Sequence, residues 1–414
     1  YCRAEDPVGR RMMTEQAKVP AIRFAGFTDP WEQRKLGDIA ERVTRKNENN
    51  ESDLPLTISA QHGLIDQRLF FNAQVASRDM SGYYLLRQGE FAYNKSTSAD
   101  SPWGAIKRLT RYEKGCVSTL YICFALLNAN PDYLVTYYET NRWHKAVQMI
   151  AAEGARNHGL LNIAPDDFFD TMVSLPESQA EQQTIGAFFS RLDSLITLHQ
   201  RKYDKLVIFK KSMLEKMFPK DGESVPEIRF AGFTDPWEQR KLENLASFGG
   251  GHTPSMADAS NYVDGKILWV TSQDVKQHYI ENTTTMISEK GAATLTLYPS
   301  DSIVIVARSG ILRHTIPVAK LRKPATVNQD IKVIQTVDSC DSSWLLQYFI
   351  ASNKTLLREY GKTGTTVESI DFAKMKSTAL MVPYIEEQQA IGSFFSRLDN
   401  LITLHQRKRL WFAK

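Results

Sequence analysis

The sequence predicts an α/β protein made of two tandem copies of one framework. We expect the copies to be related by a pseudo-twofold and separated by long repeated helices that form an antiparallel coiled coil. The chain has 414 residues, more than one ordinary core accommodates. Its 42% hydrophobic and 24% charged residues are typical of a folded globular protein. The decisive observation is an internal repeat, which predicts two domains.

The repeat consists of two sequence blocks that recur at one fixed offset. IRFAGFTDPWEQRKL occupies residues 22–36 and returns unchanged at 228–242, 206 residues later. EQQTIGAFFSRLDSLITLHQRK at 181–202 returns at 387–408 with only three residues changed, again 206 residues later. The segments between these blocks are nearly unrelated. The repeated blocks therefore form a duplicated frame around two different segments, 37–180 and 243–386, which are called the first and second interior below.

The second block of each copy is predicted to be helical. Ser178 and Glu181 have the spacing of a capping box, and Pro219 ends the run about 40 residues later, a helix of roughly 60 Å. Its apolar residues approach a heptad seam. They are Ile185, Phe188, Leu192, Leu195, Leu206 and Met213, with Phe189, Ile196 and Tyr203 beside them.

The partner predicted for this helix is its own second copy at 386–414, paired in antiparallel fashion. The alternative is that each helix packs only on its own domain. The second copy has Tyr384 where the first has Ser178, and it departs from the repeat after Lys408. The far half of the coiled coil is therefore less well defined by the sequence.

The interiors read as mixed α/β segments. Residues 267–271 and 302–307 have the β-branched character of strands, whereas 133–152 and 343–359 have helical periodicity. Residues 94–104 and 249–255 are rich in turn-forming residues, which predicts exposed loops.

The sequence lacks the catalytic motifs of several enzyme classes. It has no [DNS]-P-P-[FY] methyltransferase motif, no PD…(D/E)-x-K nuclease motif and no H-E-x-x-H pair. GKTGTT at 361–366 lacks the first glycine of a phosphate-binding loop, since Leu356 stands there. His199 and His405 occupy equivalent places on the repeated helix and are interpreted as packing residues.

Cysteine content, apolar runs and net charge restrict the predicted cellular location and the predicted partners. Four scattered cysteines (Cys2, Cys116, Cys123 and Cys340) predict reduced thiols in a cytoplasmic protein, without a zinc site or disulfides. No apolar run approaches the roughly 20 residues that cross a bilayer, so we expect no membrane association. The net charge of +4 is only weak evidence for binding to polyanions such as nucleic acids. Residues 1–17 are interpreted as a leader or artificial tail.

The remaining candidates for function are polar and basic residues in predicted loops. Such residues contact phosphates and base edges in DNA-binding proteins, although each is also compatible with an ordinary solvated loop. The first interior offers Gln61, His62, Lys95, Ser96, Arg156, Asn157 and His158. The second interior offers His252, Thr253, Ser272, Gln273, Arg308, Ser309, Arg313, Lys362 and Thr363.

The repeated blocks resemble the specificity subunits of type I restriction-modification systems. The resemblance rests on the opening PAIRFAGFTDPWEQRKL and PEIRFAGFTDPWEQRKL, the closing Leu175-Pro176 and Val382-Pro383, and EQQ-x-IG-x-FFSRLD-x-LITLHQRK, and it covers residues 18–408. It implies target-recognition domains at 18–177 and 220–384, a central helix at 178–219 and a short C-terminal helix at 385–414.

The resemblance also implies the partners and the division of labour. This chain would read a bipartite, asymmetric target in double-stranded DNA, one half-site per domain, without catalysis of its own. Two methyltransferase subunits and two motor-nuclease subunits would join it, using S-adenosylmethionine, ATP and Mg²⁺ that this chain does not bind. Two alternatives stay open from the sequence. They are a coiled-coil scaffold without DNA binding and a fused methyltransferase or nuclease.

Overall fold

The protein was analysed as a computed structural model that describes residues 20–59, 62–71, 76–99, 101–151, 159–220, 222–362 and 367–412. The chain divides into two compact units, one up to Leu195 and one from Ile196. The division falls inside one long helix, α6 (Gln179–Lys216), counted in chain order. The predicted boundaries at 177, 219 and 384 stay a prediction, and the predicted tail at 1–17 lies outside the described residues.

Unit 1 combines short strands with short helices. Its strands are β1 (Trp31–Lys35), β2 (Ala40–Arg42), β3 (Leu56–Ser59), β4 (Gly63–Asp66), β5 (Tyr84–Arg87), β6 (Phe91–Asn94), β7 (Ala105–Arg108), β8 (Lys114–Val117), β9 (Ile122–Leu126) and β10 (Met172–Pro176). Its helices before α6 are α1 (Leu36–Ile39), α2 (Gln67–Phe71), α3 (Pro131–Tyr138), α4 (His144–Ile150) and α5 (Pro165–Phe169).

The strands of unit 1 form an antiparallel sheet and several two-stranded ribbons. The sheet order is β2-β9-β6-β7, and β1 with β10, β3 with β4 and β5 with β8 form the ribbons. One face of the sheet is covered by a core rich in aromatic rings, in which Phe91 and Phe124 stack at 5.1 Å and Tyr93 and Phe168 at 4.9 Å. The ribbon β1–β10 joins the first repeated block to the end of the interior.

Unit 2 has larger sheets. Its strands are β11 (Glu238–Lys241), β12 (Ala246–Gly250), β13 (Ile267–Val270), β14 (Tyr279–Ile280), β15 (Met286–Ile287), β16 (Ile303–Val306), β17 (Val318–Leu321), β18 (Ala325–Val327), β19 (Ile331–Thr336), β20 (Gly361–Lys362), β21 (Ser369–Ile370) and β22 (Ala379–Val382). Its helices are α7 (Glu289–Ala292), α8 (Ser342–Ala351), α9 (Asn353–Tyr360), α10 (Phe372–Lys376) and α11 (Ile385–Phe412). Short 3-10 helices lie at Leu242–Asn244, Ala259–Asn261 and Gly310–Arg313.

A five-stranded sheet, β12-β19-β16-β17-β14, and a three-stranded sheet, β15-β13-β18, build the interior of unit 2. The sheets are mixed, because β13 pairs with β18 and β14 with β17 in parallel. The strands predicted at 267–271 and 302–307 are confirmed as β13 and β16, and the predicted helices as α3 with α4 and α8 with α9. The mixed α/β class is thereby confirmed, while the pseudo-twofold stays a prediction.

One predicted loop is partly wrong. The glycine-rich segment 249–255 begins inside β12, and Gly251 packs so tightly that a Cβ atom there would lie 1.8 Å from the carbonyl oxygen of Val327. Pro254 is buried as well. Glycine therefore serves close packing at this place rather than solvent exposure.

Each unit is closed by the same buried polar contact between the two repeated blocks. In unit 1 the Arg23 guanidinium donates to both carboxylate oxygens of Glu181 at 2.7 and 2.6 Å, and the Trp31 indole donates to the same carboxylate at 3.3 Å. In unit 2 the corresponding bonds from Arg229 to Glu387 measure 2.8 and 2.6 Å, and the bond from the Trp237 indole is 3.1 Å. These contacts, called the frame lock below, explain why the two blocks recur together.

The residues after the lock glutamate fix the start of the long helix against the interior. The Gln182 side chain accepts from the backbone N–H of Asn130 at 2.9 Å and donates to the carbonyl of Pro176 at 2.9 Å. The Gln388 side chain makes the equivalent bonds to Asp341 and Pro383, each at 2.8 Å. Buried polar groups satisfied in this way define a unique geometry.

The predicted capping box is only half formed. The Ser178 hydroxyl accepts from the backbone N–H of Glu181 at 3.4 Å, as expected for an N-cap. The Glu181 side chain does not return to the cap, because its carboxylate is buried and bound to Arg23 and Trp31. The spacing was correct and the role assigned to Glu181 was wrong.

The predicted antiparallel pairing of the repeated helices is confirmed within unit 2, where residues 196–216 of α6 pack on α11. Lys210 forms a 2.6 Å ion pair with Asp399, and the Phe209 and Phe394 rings lie 6.3 Å apart. Nearer the end of α11, the Nδ1 atoms of His199 and His405 are 2.8 Å apart. Residue numbers of the contact partners thus increase along α6 and decrease along α11, as in an antiparallel pair. The alternative that each helix packs only on its own domain is wrong for this part of the helix.

The predicted seam is not buried throughout. Leu206 and Met213 pack against the core of unit 2, and Ile185 packs against the core of unit 1. Phe188 and Phe189, in contrast, keep 49% and 41% of their surface exposed. Heptad spacing identifies an apolar face without specifying which part of it has a partner.

Candidate nucleic-acid interface

The loop between β18 and β19 brings the predicted residues of unit 2 together. Its Asn328 backbone N–H donates to the carbonyl of Val270, the last residue of β13, at 3.0 Å. The next residue, Gln329, accepts from the Thr253 hydroxyl at 2.6 Å, and the carbonyl of Asp330 accepts from Ala307 at 2.7 Å. Three segments distant in sequence therefore meet at this loop.

Each of these segments leads directly into predicted contact residues. Ser272 and Gln273 follow β13, where Asp274 orders the turn by accepting from the backbone and hydroxyl of Thr271 at 2.9 and 2.8 Å. His252 precedes Thr253 and bonds the Thr294 hydroxyl at 3.0 Å. Arg308 follows Ala307 and is exposed.

The ribbon β20–β21 adds the remaining predicted cations of unit 2. Arg308 forms an isolated antiparallel bridge with Ser369 of β21, and Lys362 of β20 pairs with the same serine in register. Ser309 caps the 3-10 helix that carries Arg313 by accepting from the backbone N–H of Ile311. Arg308, Ser309, Arg313 and Lys362 thus share one surface, while the predicted Thr363 lies outside the described residues.

Two of these cations are held by carboxylates. Arg313 forms an ion pair with Glu368, and the hydrogen bond from its guanidinium lowers the pKa of that carboxyl. Lys362 lies 2.8 Å from Asp371, whose pKa is lowered chiefly by this hydrogen bond. Both carboxylates are therefore charged at neutral pH and orient the cations, which keep 67% and 60% of their side chains exposed. Such side chains can still reach a phosphate or a base edge.

In unit 1 the structure brings Lys95 and Ser96 beside residues 159–161. The backbone N–H of Leu161 donates to the carbonyl of Lys95 at 3.0 Å, and Ser96 forms an isolated bridge with Leu160. The predicted Arg156, Asn157 and His158 directly precede this segment and lie outside the described residues. Ser96 is exposed, which suits a contact residue.

Lys95 and His62 occupy different settings. The Lys95 ammonium group donates to the carbonyl of Ile163 at 3.3 Å, and partial burial lowers its pKa. His62 is exposed on the β3–β4 turn, where Gly63 adopts a left-handed φ of 71°. Gln61 lies outside the described residues. No described hydrogen bond links His62 to the loop at Lys95 and Ser96, so contact roles for this unit stay predictions.

Sequence reasoning missed the residues that organise the unit 2 surface. Gln329 and Ser369 connect the predicted segments, and Glu368 and Asp371 orient the cations. The signal for the first was Asn-Gln-Asp at 328–330 between two β-branched runs, a turn composition that was not singled out. The others carry no local signal.

The described residues contain no cluster of three or more His, Cys, Asp or Glu side chains that could hold a metal ion. Cys116, Cys123 and Cys340 are free and buried. Within the described part of the chain, every helix is too short or too polar to cross a bilayer.

Comparison with known proteins finds similarity to one protein family. The family model described as "Type I restriction modification DNA specificity domain" matches residues 234–410, which include the unit 2 surface and α11. The matched part of the chain, less than half of its length, is therefore similar to this DNA specificity domain. The match agrees with the resemblance that the repeated blocks of the second copy show to specificity subunits.

Two specificity subunits are similar to parts of this chain. The chain is 31% identical over 166 residues to the Type I restriction enzyme EcoR124I/EcoR124II specificity subunit of Escherichia coli, covering 40% of this chain and 41% of that protein. It is 30% identical over 174 residues to the MjaIX specificity subunit of Methanocaldococcus jannaschii, covering 40% of this chain and 38% of that protein. The matches therefore span about two fifths of either relative.

The fold also has a structural counterpart in the specificity family. The crystal structure of the type I restriction-modification system S subunit from M. genitalium aligns with a TM-score of 0.59 at 11% identity and covers 96% of each chain. At this identity the likeness concerns the fold alone.

Proposed function

We propose that this chain is the DNA-reading subunit of a type I restriction-modification complex and that it recognises a bipartite, asymmetric target with one half-site per unit. The observation that carries the proposal is the frame lock, repeated with bond lengths that agree within about 0.2 Å around unlike interiors. Two domains that recognise two half-sites independently need a constant frame and interiors that can differ in sequence.

The unit 2 surface supports this role chemically. Exposed guanidinium and ammonium groups lie on one surface with Ser309 and Ser369. The loop that carries Gln329 reaches this surface through the bond from Ala307, the neighbour of Arg308, to the carbonyl of Asp330. Arg and Lys contact phosphates and guanine, and Gln suits adenine. We propose Arg308, Arg313 and Lys362 as the cationic contacts of this half-site and Gln329 as a base-reading residue.

In the proposed complex, two methyltransferase subunits and two motor-nuclease subunits bind this chain and supply S-adenosylmethionine, ATP and Mg²⁺ chemistry. This chain determines which DNA sequence is recognised and how far apart the two half-sites lie. The repeated helices are proposed as the spacer, since α6 has 38 residues, about 57 Å at 1.5 Å per residue. One helical turn of DNA is roughly 34 Å.

A segment exchange tests the modular reading. Replacing residues 243–385 with the segment of another specificity subunit should change one half of the methylated sequence and leave the other half unchanged, as determined by sequencing modified adenines in the host genome. Exchanging 37–180 should change the opposite half. If either exchange alters both halves, the proposal of independent readers fails.

The contact surface is tested separately by salt-dependent DNA binding. Arg308→Ala and Lys362→Ala should each reduce the slope of log affinity against log salt by about one if the side chain contacts a phosphate. Lys323→Ala, which alters an exposed lysine of the 322–324 loop, is the matched control. Binding without salt dependence, or no DNA binding by the assembled complex, would favour the scaffold alternative.

A further inference from the structure

Gln329 lies in the turn between β18 and β19, and the backbone on both sides of it is fixed. The buried side chain of Asn328 accepts from the backbone N–H of Asp330 at 3.1 Å. The backbone N–H of Asn328 donates to Val270 at 3.0 Å, and the carbonyl of Asp330 accepts from Ala307 at 2.7 Å. Gln329 itself is exposed. An exposed glutamine is therefore presented by a rigid turn.

Thr253 belongs to a second segment that is fixed in a similar way. Before it, the carbonyl of Gly250 accepts from the Tyr298 hydroxyl at 2.8 Å. After it, the carbonyl of Pro254 accepts from the Tyr262 hydroxyl at 2.7 Å. The position of the Thr253 side chain is thus defined by bonds on both sides of the residue.

The two segments are joined by one side-chain hydrogen bond. The Thr253 hydroxyl donates to the amide oxygen of Gln329 at 2.6 Å. Within the part of the chain that the structure describes, the amide nitrogen of Gln329 has no hydrogen-bond partner. An amide oxygen has two lone pairs and an amide nitrogen has two N–H donors. The Gln329 amide therefore keeps one acceptor site and its donors for a ligand, while Thr253 already restricts its rotation.

Adenine presents the matching pair of groups in the major groove. Its N6 amino group donates and its N7 atom accepts, whereas guanine presents two acceptors, N7 and O6. A glutamine amide satisfies both groups of adenine in a bidentate contact. Guanine would place an acceptor opposite the amide oxygen. Restricting the amide beforehand reduces the side-chain entropy that is lost on binding.

We propose that Gln329 recognises an adenine in the half-site of unit 2 and that Thr253 is the residue that positions its amide for this base. The inference rests on the proposed function, because it requires that unit 2 contacts DNA, and it deepens that function by naming one base. Arg308 follows Ala307, which is bonded to the same turn, and is exposed. A phosphate contact from such a cation would fix the register of the turn on the duplex.

A glutamate substitution tests the base assignment in the assembled type I complex. Gln329→Glu replaces the amide donor with an acceptor, which suits the N4 amino group of cytosine. Sequencing of modified sites in the host genome should show adenine replaced by cytosine at one position of the unit 2 half-site. Gln239→Glu makes the same charge change at an exposed glutamine of β11 and should keep the natural target. An unchanged target in Gln329→Glu, or guanine as the base that is lost, would overturn the proposal.

Base analogues test the contact atom by atom. 7-Deazaadenine lacks the N7 acceptor, and purine lacks the N6 amino group. At the recognised adenine, each analogue should weaken DNA binding by the natural complex about tenfold, because one bond of the bidentate contact is lost. The Gln329→Ala complex should bind natural and analogue duplexes equally at this position. Penalties that persist at every adenine of the half-site in Gln329→Ala would overturn the assignment.

The positioning role of Thr253 has a separate readout. Thr253→Val should weaken the discrimination between adenine and 7-deazaadenine about threefold, since the amide is then held by one hydrogen bond fewer. Thr253→Ser keeps the hydroxyl and should restore the natural discrimination. Equal loss in both variants would indicate a packing role for the threonine methyl group, and full discrimination by Thr253→Val would also refute the positioning role.

The exchange of residues 243–385 separates this inference from the proposed function. If the exchange leaves the half-site assigned to unit 2 unchanged, unit 2 does not select it and both proposals fail. If the exchange changes that half-site while Gln329→Glu and Gln329→Ala behave like the natural chain, only the assignment of adenine to Gln329 fails.

Discussion

Units 1 and 2 share a frame and differ in almost everything it encloses. The frame lock joins Arg23 with Glu181 in one unit and Arg229 with Glu387 in the other, with the carboxylates 1% and 2% exposed. The interiors are a four-stranded antiparallel sheet in unit 1 and mixed five- and three-stranded sheets in unit 2. The buried polar contacts of the frame lock therefore restrict the sequence of the repeated blocks. The interior can differ, provided that its first and last strands pack against those blocks.

The strongest test of this comparison is to break one lock at a time. Arg229→Met should destabilise unit 2 by about 3 kcal/mol, because it leaves the buried Glu387 carboxylate without its cation. Hydrogen exchange should show lost protection at β11 and β22 and unchanged protection at β1 and β10. Arg23→Met should produce the reverse pattern.

Lys241→Met is the matched control, since this exposed lysine of β11 takes no part in the lock. It should leave the exchange of both ribbons unchanged. Equal loss of protection in both units after a single lock substitution would show that the frame is shared rather than duplicated.

A smaller effect is expected from the glycine of each repeated helix. Alanine at Gly392 would place a Cβ atom 2.5 Å from the Asp341 carboxylate and 2.9 Å from the backbone nitrogen of Trp344. Helix propensity favours alanine by about 1 kcal/mol, but overpacking costs about 1–3 kcal/mol, so we expect a net loss. Gly186→Ala should likewise lower the midpoint of thermal unfolding, because its Cβ atom would lie 2.6 Å from the backbone nitrogen of Tyr133.

Gly310→Ala provides the control for this pair, because a Cβ atom there would meet no atom within 4 Å. Its unfolding midpoint should match that of the natural chain. If Gly392→Ala were as stable as Gly310→Ala, close approach of α11 to α8 would not be the reason for the repeated glycine.

The sequence predicted the long-range organisation better than the local roles. The 206-residue offset was sufficient to predict two units and paired helices, because repeated apolar faces need partners. Glu181 was read as a cap residue because spacing alone cannot reveal Arg23, 158 positions away, as its partner. For the same reason the sequence indicated Arg313 and Lys362 as cations but not Glu368 and Asp371 as the groups that orient them.

The smallest expected effect concerns pH and the helix pairing in unit 2. A hydrogen bond between the Nδ1 atoms of His199 and His405, 2.8 Å apart, needs one protonated and one bare nitrogen. Burial lowers the pKa of His405, and the positive charges of His199, Lys202 and Lys408 lower it further. Because the folded-state pKa lies below that of the unfolded chain, the unfolded state takes up protons first as pH falls below about 6.5.

Stability should therefore be retained above that pH and decrease as the pH falls below it. The expected observation is a thermal midpoint that falls more steeply from pH 7 to pH 5 in the natural chain than in a His405→Gln variant. His62→Gln, at an exposed turn of unit 1, should keep the natural pH dependence. An identical slope in all three proteins would mean that the paired histidines contact each other without coupling protonation to folding, leaving the Lys210 to Asp399 ion pair and the aromatic contacts to hold the helices together.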